Sequence, residues 1–115
     1  MRITELLNKD AMDLNATPKS KAEAIALLVD LMVRSGNILD KEEYKKCVLK
    51  RETIGSTGIG EGVAIPHAKT KAVKSAGLAV IVVRDGVDFD SLDGEPAKLF
   101  FLIAAPDTED NIHLD

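Results

Sequence analysis

His67 is the residue whose surroundings most favour chemistry. It follows Pro66 at the end of a short apolar run, 63–65, and the glycine-rich segment GSTGIGEG, 55–62, precedes that run. A neutral imidazole is a nucleophile near neutral pH, and its ring can form a covalent intermediate. Because proline fixes its own φ and biases the preceding residue to extended backbone, the pattern predicts a strand that presents His67 at its carboxyl end.

The glycine-rich segment fits one of three phosphate-binding mechanisms. A P-loop requires Lys and then Ser or Thr after its last glycine, whereas Glu61 and Gly62 stand there. A dinucleotide fingerprint opens a helix, but an apolar strand pattern follows here. The third mechanism is an anion nest, in which Gly58 and Gly60 let backbone N–H groups converge on a phosphoryl group carried by His67. A surface histidine after a hairpin explains the same local pattern equally well.

Three polar side chains near the loop have both a functional and a structural interpretation. Arg51 precedes Gly55 by four residues; it could clamp a phosphoryl group or face the negative end of a helix dipole. Ser56 and Thr57 could donate hydroxyl hydrogen bonds to that group or satisfy the backbone of their own loop. The local patterns leave both interpretations open.

Composition narrows the class of protein. The 115 residues suit one domain with a modest core. A net charge of −4 with 3% aromatic residues argues against a nucleic-acid partner. The single cysteine, Cys47, excludes an internal disulfide and a zinc-type spacing, and its helical position predicts a core residue. No apolar run approaches the ~20 residues of a membrane helix. We therefore expect a cytoplasmic domain without metal or cofactor.

The elements that must position His67 follow from periodicity and end signals. A helix capped by Thr17 or Ser20 stops near Gly36, and a second helix runs from Asp40 to about Arg51. Continuous apolar runs at 77–83 and 97–105 predict buried strands. A short helix near 70–76 and an edge strand around 87–89 complete the order. The pattern predicts an α/β domain with a small mixed sheet flanked by helices on its faces.

The last ten residues, PDTEDNIHLD, begin like a helix that has room for only one or two turns. We therefore expect residues 1–115 to be the N-terminal part of a longer domain, with its C-terminal helices truncated.

The segment STGIGEGVAIPHA, 56–68, resembles the active-site signature of enzyme IIA domains of the fructose/mannitol class (EIIA type 2) in the bacterial phosphoenolpyruvate-dependent phosphotransferase system. KRETIGSTGIG before His67, GVDFDSLDGEPAKLFFLIAAP after it and HL at 113–114 are similar to the same family, so the resemblance covers the whole chain. Family domains continue for another helix or two beyond this point.

The resemblance implies a phosphoryl carrier in sugar uptake. Such a domain takes a phosphoryl group from the phosphohistidine of HPr and passes it to a cysteine of a IIB domain, linked or separate, which serves a membrane IIC permease. His67 is then the phosphorylated residue, on Nε2, supported by Arg51 and His113, with Ser56, Thr57, Gly58 and Gly60 forming the phosphate loop.

Two alternatives share this motif. A regulatory, nitrogen-type paralogue would be phosphorylated in the same way but would control other proteins by binding them. An inactive structural paralogue is less favoured, because His67, Arg51 and His113 are all present. The sequence does not indicate which sugar is involved.

Overall fold

Two helices and six strands make up the computed structural model of the chain, which describes residues 9–107. In chain order the elements are a 3-10 turn (Lys9–Ala11), β1 (Met12–Asp13), α1 (Lys21–Arg34), α2 (Lys41–Ile54), β2 (Gly58–Gly60), β3 (Val63–Ala64), β4 (His67–Lys69), β5 (Gly77–Val87) and β6 (Ala97–Ala105). His113, and all but the first two residues of the predicted C-terminal helix, lie outside the described residues. Neither α1 nor α2 has the length and apolar character needed to cross a membrane.

Both helices begin where their capping signals predict. The Ser20 side chain accepts the N–H of Glu23 over 3.1 Å, and Asp40 accepts the N–H of Glu43 over 3.1 Å. Each bond satisfies one of the backbone donors that a helix start leaves unpaired. α1 ends just before Gly36, whose φ of +83° suits glycine. α2 continues to Ile54 rather than ending near Arg51.

The sheet is mixed, as predicted, and β6 is its centre. Its strand order is β1-β5-β6-β3-β2, with β4 also paired to β6. β6 runs antiparallel to β5 and parallel to both β3 and β4. The predicted strand 97–105 is confirmed residue for residue, and the strand predicted at 77–83 extends to Val87.

Two smaller predictions are wrong. The segment 70–76 forms turns instead of a helix, and Val73 makes an isolated bridge to Ile38. Residues 88–90 are outside any strand. In both segments a polar side chain binds nearby backbone: the Thr70 hydroxyl accepts the N–H of Ala72, and Asp88 accepts that of Asp90. Such local bonds compete with regular secondary structure.

Burial alternates along β6 and defines the two faces of the sheet. Phe100, Leu102 and Ala104 are fully buried, whereas Leu99, Phe101 and Ile103 are half-buried. The buried set packs with residues of α1 and α2 in one core; examples from the helices are Ile25, Leu28, Met32, Tyr44 and Val48. Both described helices therefore cover the same face of the sheet.

Tyr44 links α2 to β6 at the residue that pairs with His67. Its side chain is fully buried, and its hydroxyl donates to the carbonyl of Ile103 over 2.8 Å. Ile103 is the residue of β6 that pairs with His67. Burial raises the pKa of Tyr44 above its usual range, so the hydroxyl keeps its proton and remains a donor.

We expect Tyr44→Phe to lower the free energy of unfolding by about 1–2 kcal/mol, because the buried carbonyl of Ile103 loses a donor. Urea denaturation measures the change. Thr53→Val is the matched control, since it removes an exposed hydroxyl bond on the same helix that water can replace. Equal midpoints for Tyr44→Phe and the unsubstituted chain would contradict the role of this bond.

Candidate functional site

His67 lies where Pro66 interrupts the path of the chain beside β6. Pro66 is fully buried, and its carbonyl accepts the N–H of Ile103 over 3.1 Å. The chain then resumes pairing, so His67 begins β4 instead of ending a strand, contrary to the sequence-based prediction. Its partner Ile103 stands two residues before the end of β6. His67 therefore lies at the start of β4, just after the carboxyl end of β3 and near that of β6, to which both strands run parallel.

The imidazole of His67 is oriented by its own backbone. Nδ1 lies 2.9 Å from the carbonyl oxygen of Ile65, and the side chain is half-buried. A carbonyl oxygen only accepts hydrogen bonds, so in the neutral ring Nδ1 carries the proton and Nε2 keeps its lone pair. In this tautomer Nε2 is the ring nitrogen with an available lone pair.

The structure brings His67 and Arg51 to one open cleft of about 270 Å³. Its lining residues are Cys47, Lys50, Arg51, Ile54, His67, Ala68 and Lys69. Three of them have cationic side chains, although most of the surface that faces the cleft is apolar. Lys50 was not indicated by the sequence, and Lys69 lies in β4.

The structure shows a structural role for Arg51, and its contact with a phosphoryl group stays a prediction. One guanidinium nitrogen, Nη1, donates to the carbonyl of Gly55 over 2.7 Å, which holds the carboxyl end of α2. A guanidinium has five N–H donors, so this bond engages one part of the fork. The structural role fixes where Arg51 lies and leaves it on the wall of the cleft that contains His67.

The glycine-rich segment forms a hairpin instead of a loop around the imidazole. Gly60 in β2 pairs with Val63 in β3, and the two residues between them, Glu61 and Gly62, have φ values of +56° and +79°. Positive φ at both positions matches a type I′ hairpin turn. At about 3.3 Å per extended residue, Val63 lies about 13 Å before His67. The structure thus does not bring Gly60 to the imidazole.

Glycine is needed in β2 for close contact with the 91–93 segment. A Cβ on Gly58 would clash with the hydroxyl of Ser91 and lie 3.0 Å from its Cα. A Cβ on Gly60, whose φ is +100°, would lie 3.2 Å from the carboxylate of Asp93. That carboxylate accepts the N–H groups of Glu61 and Glu95, which hold its pKa below its usual value. The glycines therefore let the hairpin pack against this turn.

We expect Gly58→Ala to lower the free energy of unfolding by about 1–3 kcal/mol, because the added methyl group overpacks against Ser91. Gly55→Ala is the control: a Cβ there meets nothing within 4 Å and φ is extended, so stability should be unchanged or higher. Urea unfolding compares the two variants. If Gly58→Ala proves as stable as Gly55→Ala, the close contact is not a constraint on the fold.

The hydroxyls of Ser56 and Thr57 hold their own loop in this structure. Ser56 Oγ donates to the carbonyl of Phe89 over 2.5 Å and accepts the N–H of Gly58 over 3.0 Å. Thr57 is buried, and its hydroxyl donates to a carboxylate oxygen of Glu52 over 2.5 Å. Direct contact of either hydroxyl with a phosphoryl group stays a prediction.

Two residues near the site differ from what the sequence indicated. Glu52 has a side chain only 5% exposed, and its Oε1 lies 3.0 Å from Lys21 Nζ. Its spacing after Tyr44 and Val48, four residues each time, places it on the buried stripe of α2 and was a usable signal. Cys47, predicted as core, is half-buried at the margin of the core and lines the His67 cleft.

Comparison with known families identifies the chain. Residues 5–115 match the family described as phosphoenolpyruvate-dependent sugar phosphotransferase system, EIIA 2. The chain belongs to this family, and the resemblance seen in the sequence is confirmed.

Two of the relatives are named as fructose-specific components. The chain is 47% identical, over its whole length, to the PTS system fructose-specific EIIABC component of Bacillus subtilis, but spans only 18% of that protein. It is 38% identical to the fructose-specific EIIA component of Haloferax volcanii, covering 97% of this chain and 73% of the relative.

Solved structures confirm the fold. Nitrogen regulatory protein IIA-Ntr from Neisseria meningitidis superposes with a TM-score of 0.83 at 36% identity, covering 90% of this chain and 70% of that one. Enzyme IIA mannitol of Escherichia coli, solved in complex with phosphorylated enzyme IIB mannitol, gives a TM-score of 0.77 at 28% identity, covering 90% and 72%.

Proposed function

We propose that the chain is a phosphoryl carrier of sugar uptake in which His67 is the phosphorylated residue. The carrying observation is the bond between Nδ1 and the Ile65 carbonyl, which leaves the Nε2 lone pair available on an imidazole that lines the same cleft as Arg51. Nε2 attacks the phosphorus of phospho-HPr; the phosphorus–nitrogen bond of the donor breaks, and the donor imidazole recovers the electron pair. A cysteine thiolate of a IIB domain then attacks the same phosphorus and releases His67.

Arg51 and His113 are the proposed supporting residues. Phosphoryl transfer depends on positioning and on stabilising the charge of the transferring oxygens. Arg51 lines the cleft and supplies that charge in a planar, bidentate form. His113 is assigned by its match to the family motif alone. Ser56, Thr57, Gly58 and Gly60 are proposed to act by shaping the loop that precedes the strand of His67.

HPr is the proposed donor, and a IIB domain is the proposed acceptor. The chain itself acts in the cytoplasm and serves a membrane IIC permease only indirectly. A IIB domain is supported by the mannitol relative solved with phosphorylated IIB, and by the fused EIIABC relative from Bacillus subtilis. The sugar is not contacted by this domain, so the fructose assignment rests on similarity to the fructose-specific relatives.

The proposal is tested by supplying phosphoenolpyruvate, enzyme I and HPr to the purified chain. We expect one phosphate per chain, labile in acid and stable in base, as for a phosphohistidine. Omitting HPr is the control and should abolish labelling. A folded chain that gains no acid-labile phosphate under these conditions would overturn the carrier function.

Regulation by phosphorylation-dependent binding is the second candidate function, and the similarity to IIA-Ntr favours it. Transfer to a IIB domain separates the two. A transport carrier should lose its phosphate rapidly to a fructose-type IIB domain, whereas a regulatory protein should keep it. Retention of phosphate in the presence of several IIB domains would favour regulation.

A further inference from the structure

Glu52 carries a buried carboxylate that phosphoryl transfer does not use directly. A buried charge persists where it is paired and hydrogen-bonded, and Glu52 has both kinds of partner. Lys21 Nζ lies 3.0 Å from Oε1, which also accepts the N–H of Thr57 over 3.1 Å. The Thr57 hydroxyl donates to Oε2 over 2.5 Å. The carboxylate thus fixes the backbone and the side chain of Thr57 together.

Thr57 transmits this constraint to the residues just before His67. Its carbonyl accepts the N–H of Ile65 over 3.0 Å. The carbonyl of Ile65 in turn accepts the Nδ1 proton of His67 over 2.9 Å. A continuous series of hydrogen bonds therefore joins the Glu52 carboxylate to the imidazole, although the two side chains belong to different elements.

The Lys21 side chain, which pairs with Glu52 at the other end of this series, is also fixed by contacts. Lys21 Nζ lies 4.6 Å from the centroid of the Phe89 ring and 3.8 Å from a carboxylate oxygen of Asp90. The neighbouring Ser56 hydroxyl donates to the carbonyl of Phe89. The start of α1, the end of α2 and the 89–90 segment therefore converge on the loop at Ser56 and Thr57.

We propose that Glu52 is a positioning residue for phosphoryl transfer at His67, an inference that rests on the proposed function. By holding Thr57, it fixes the Ile65 carbonyl that keeps the proton on Nδ1. If that carbonyl moves, the other neutral tautomer, with its proton on Nε2, gains population. In that tautomer Nε2 has no free lone pair, so it cannot attack phosphorus.

The test is Glu52→Gln, which keeps the shape but removes the charge and one of the two acceptor oxygens. ¹⁵N NMR of the unphosphorylated imidazole should show a larger share of the Nε2–H tautomer. The rate of phosphoryl acceptance from phospho-HPr should fall by about tenfold, the effect of one lost hydrogen bond of ordinary strength. Glu42→Gln, in the first turn of α2 and exposed, is the matched control and should change neither quantity.

A second pair of variants covers the case in which Glu52→Gln folds poorly. Thr57→Val removes the hydroxyl and should shift the tautomer in the same direction. Thr57→Ser keeps the hydroxyl, so its tautomer ratio and its rate of phosphoryl acceptance should equal those of the unsubstituted chain. Folded Glu52→Gln and Thr57→Val chains with an unchanged tautomer ratio would overturn the inference, even if their melting temperatures fall. Because the tautomer is read without phosphate, this result is separate from the carrier function, which fails if the folded, unsubstituted chain gains no acid-labile phosphate from phospho-HPr.

Discussion

His67→Ala should abolish phosphoryl acceptance while leaving the fold intact. Removal of a nucleophile that forms a covalent intermediate costs enzymes several orders of magnitude in rate, so we expect a loss of about 10⁴-fold or more. The side chain is half-buried, and its Nδ1 bond is local to Ile65. The free energy of unfolding should therefore change by about 1 kcal/mol or less. Labelling by phospho-HPr and urea denaturation measure the two effects.

His67→Gln is the matched control for this prediction, because an amide keeps a polar side chain at the position but cannot carry the phosphoryl group. Both variants should be folded and unlabelled. Acid-labile phosphate on either folded variant would move the acceptor to another residue.

Arg51→Ala should lower the rate of acceptance by about 10²–10³-fold, the usual cost of removing one donor aimed at developing charge. Arg51→Lys keeps the charge but loses the planar fork, so an intermediate loss of about tenfold is expected. Single-turnover transfer from phospho-HPr measures both. The loss should lie mainly in the transfer rate and not in the affinity for HPr.

Arg51 also stabilises the carboxyl end of α2 through its hydrogen bond to the carbonyl of Gly55. The effect of its substitution on stability must therefore be measured separately from the effect on the transfer rate. Loss of that bond should lower the free energy of unfolding by about 0.5–1.5 kcal/mol. Lys50→Ala is the control, because Lys50 lines the same cleft and neighbours Arg51 in the helix. If Arg51→Ala transfers as fast as Lys50→Ala, the charge of Arg51 has no specific role.

The sequence predicts best those features that depend on neighbouring residues. Ser20 and Asp40 start their helices because each side chain caps an N–H three residues on. The apolar run of β6 predicts its bounds, because Lys98 is the one polar residue within it. These signals are local and need no knowledge of the tertiary fold.

The features that the sequence did not predict depend on contacts between distant segments. The glycine motif does not predict the hairpin that Gly58 and Gly60 form, because that hairpin packs closely against the distant residues Ser91 and Asp93. The continuation of pairing after Pro66 depends on the hydrogen bond that β6 makes to its carbonyl. The spacing in α2 places Glu52 on its buried stripe, but the link to the imidazole depends on how a separate loop folds.

The ring nitrogen of His67 that carries the phosphate reports how the imidazole is oriented in the site. The chain, labelled with ¹⁵N at its imidazoles, is phosphorylated through HPr and examined by ¹⁵N and ³¹P NMR. We predict phosphate bonded to Nε2 of His67, with the proton retained on Nδ1 and directed at the Ile65 carbonyl. Phosphate on Nδ1, or on a residue other than His67, would contradict this account.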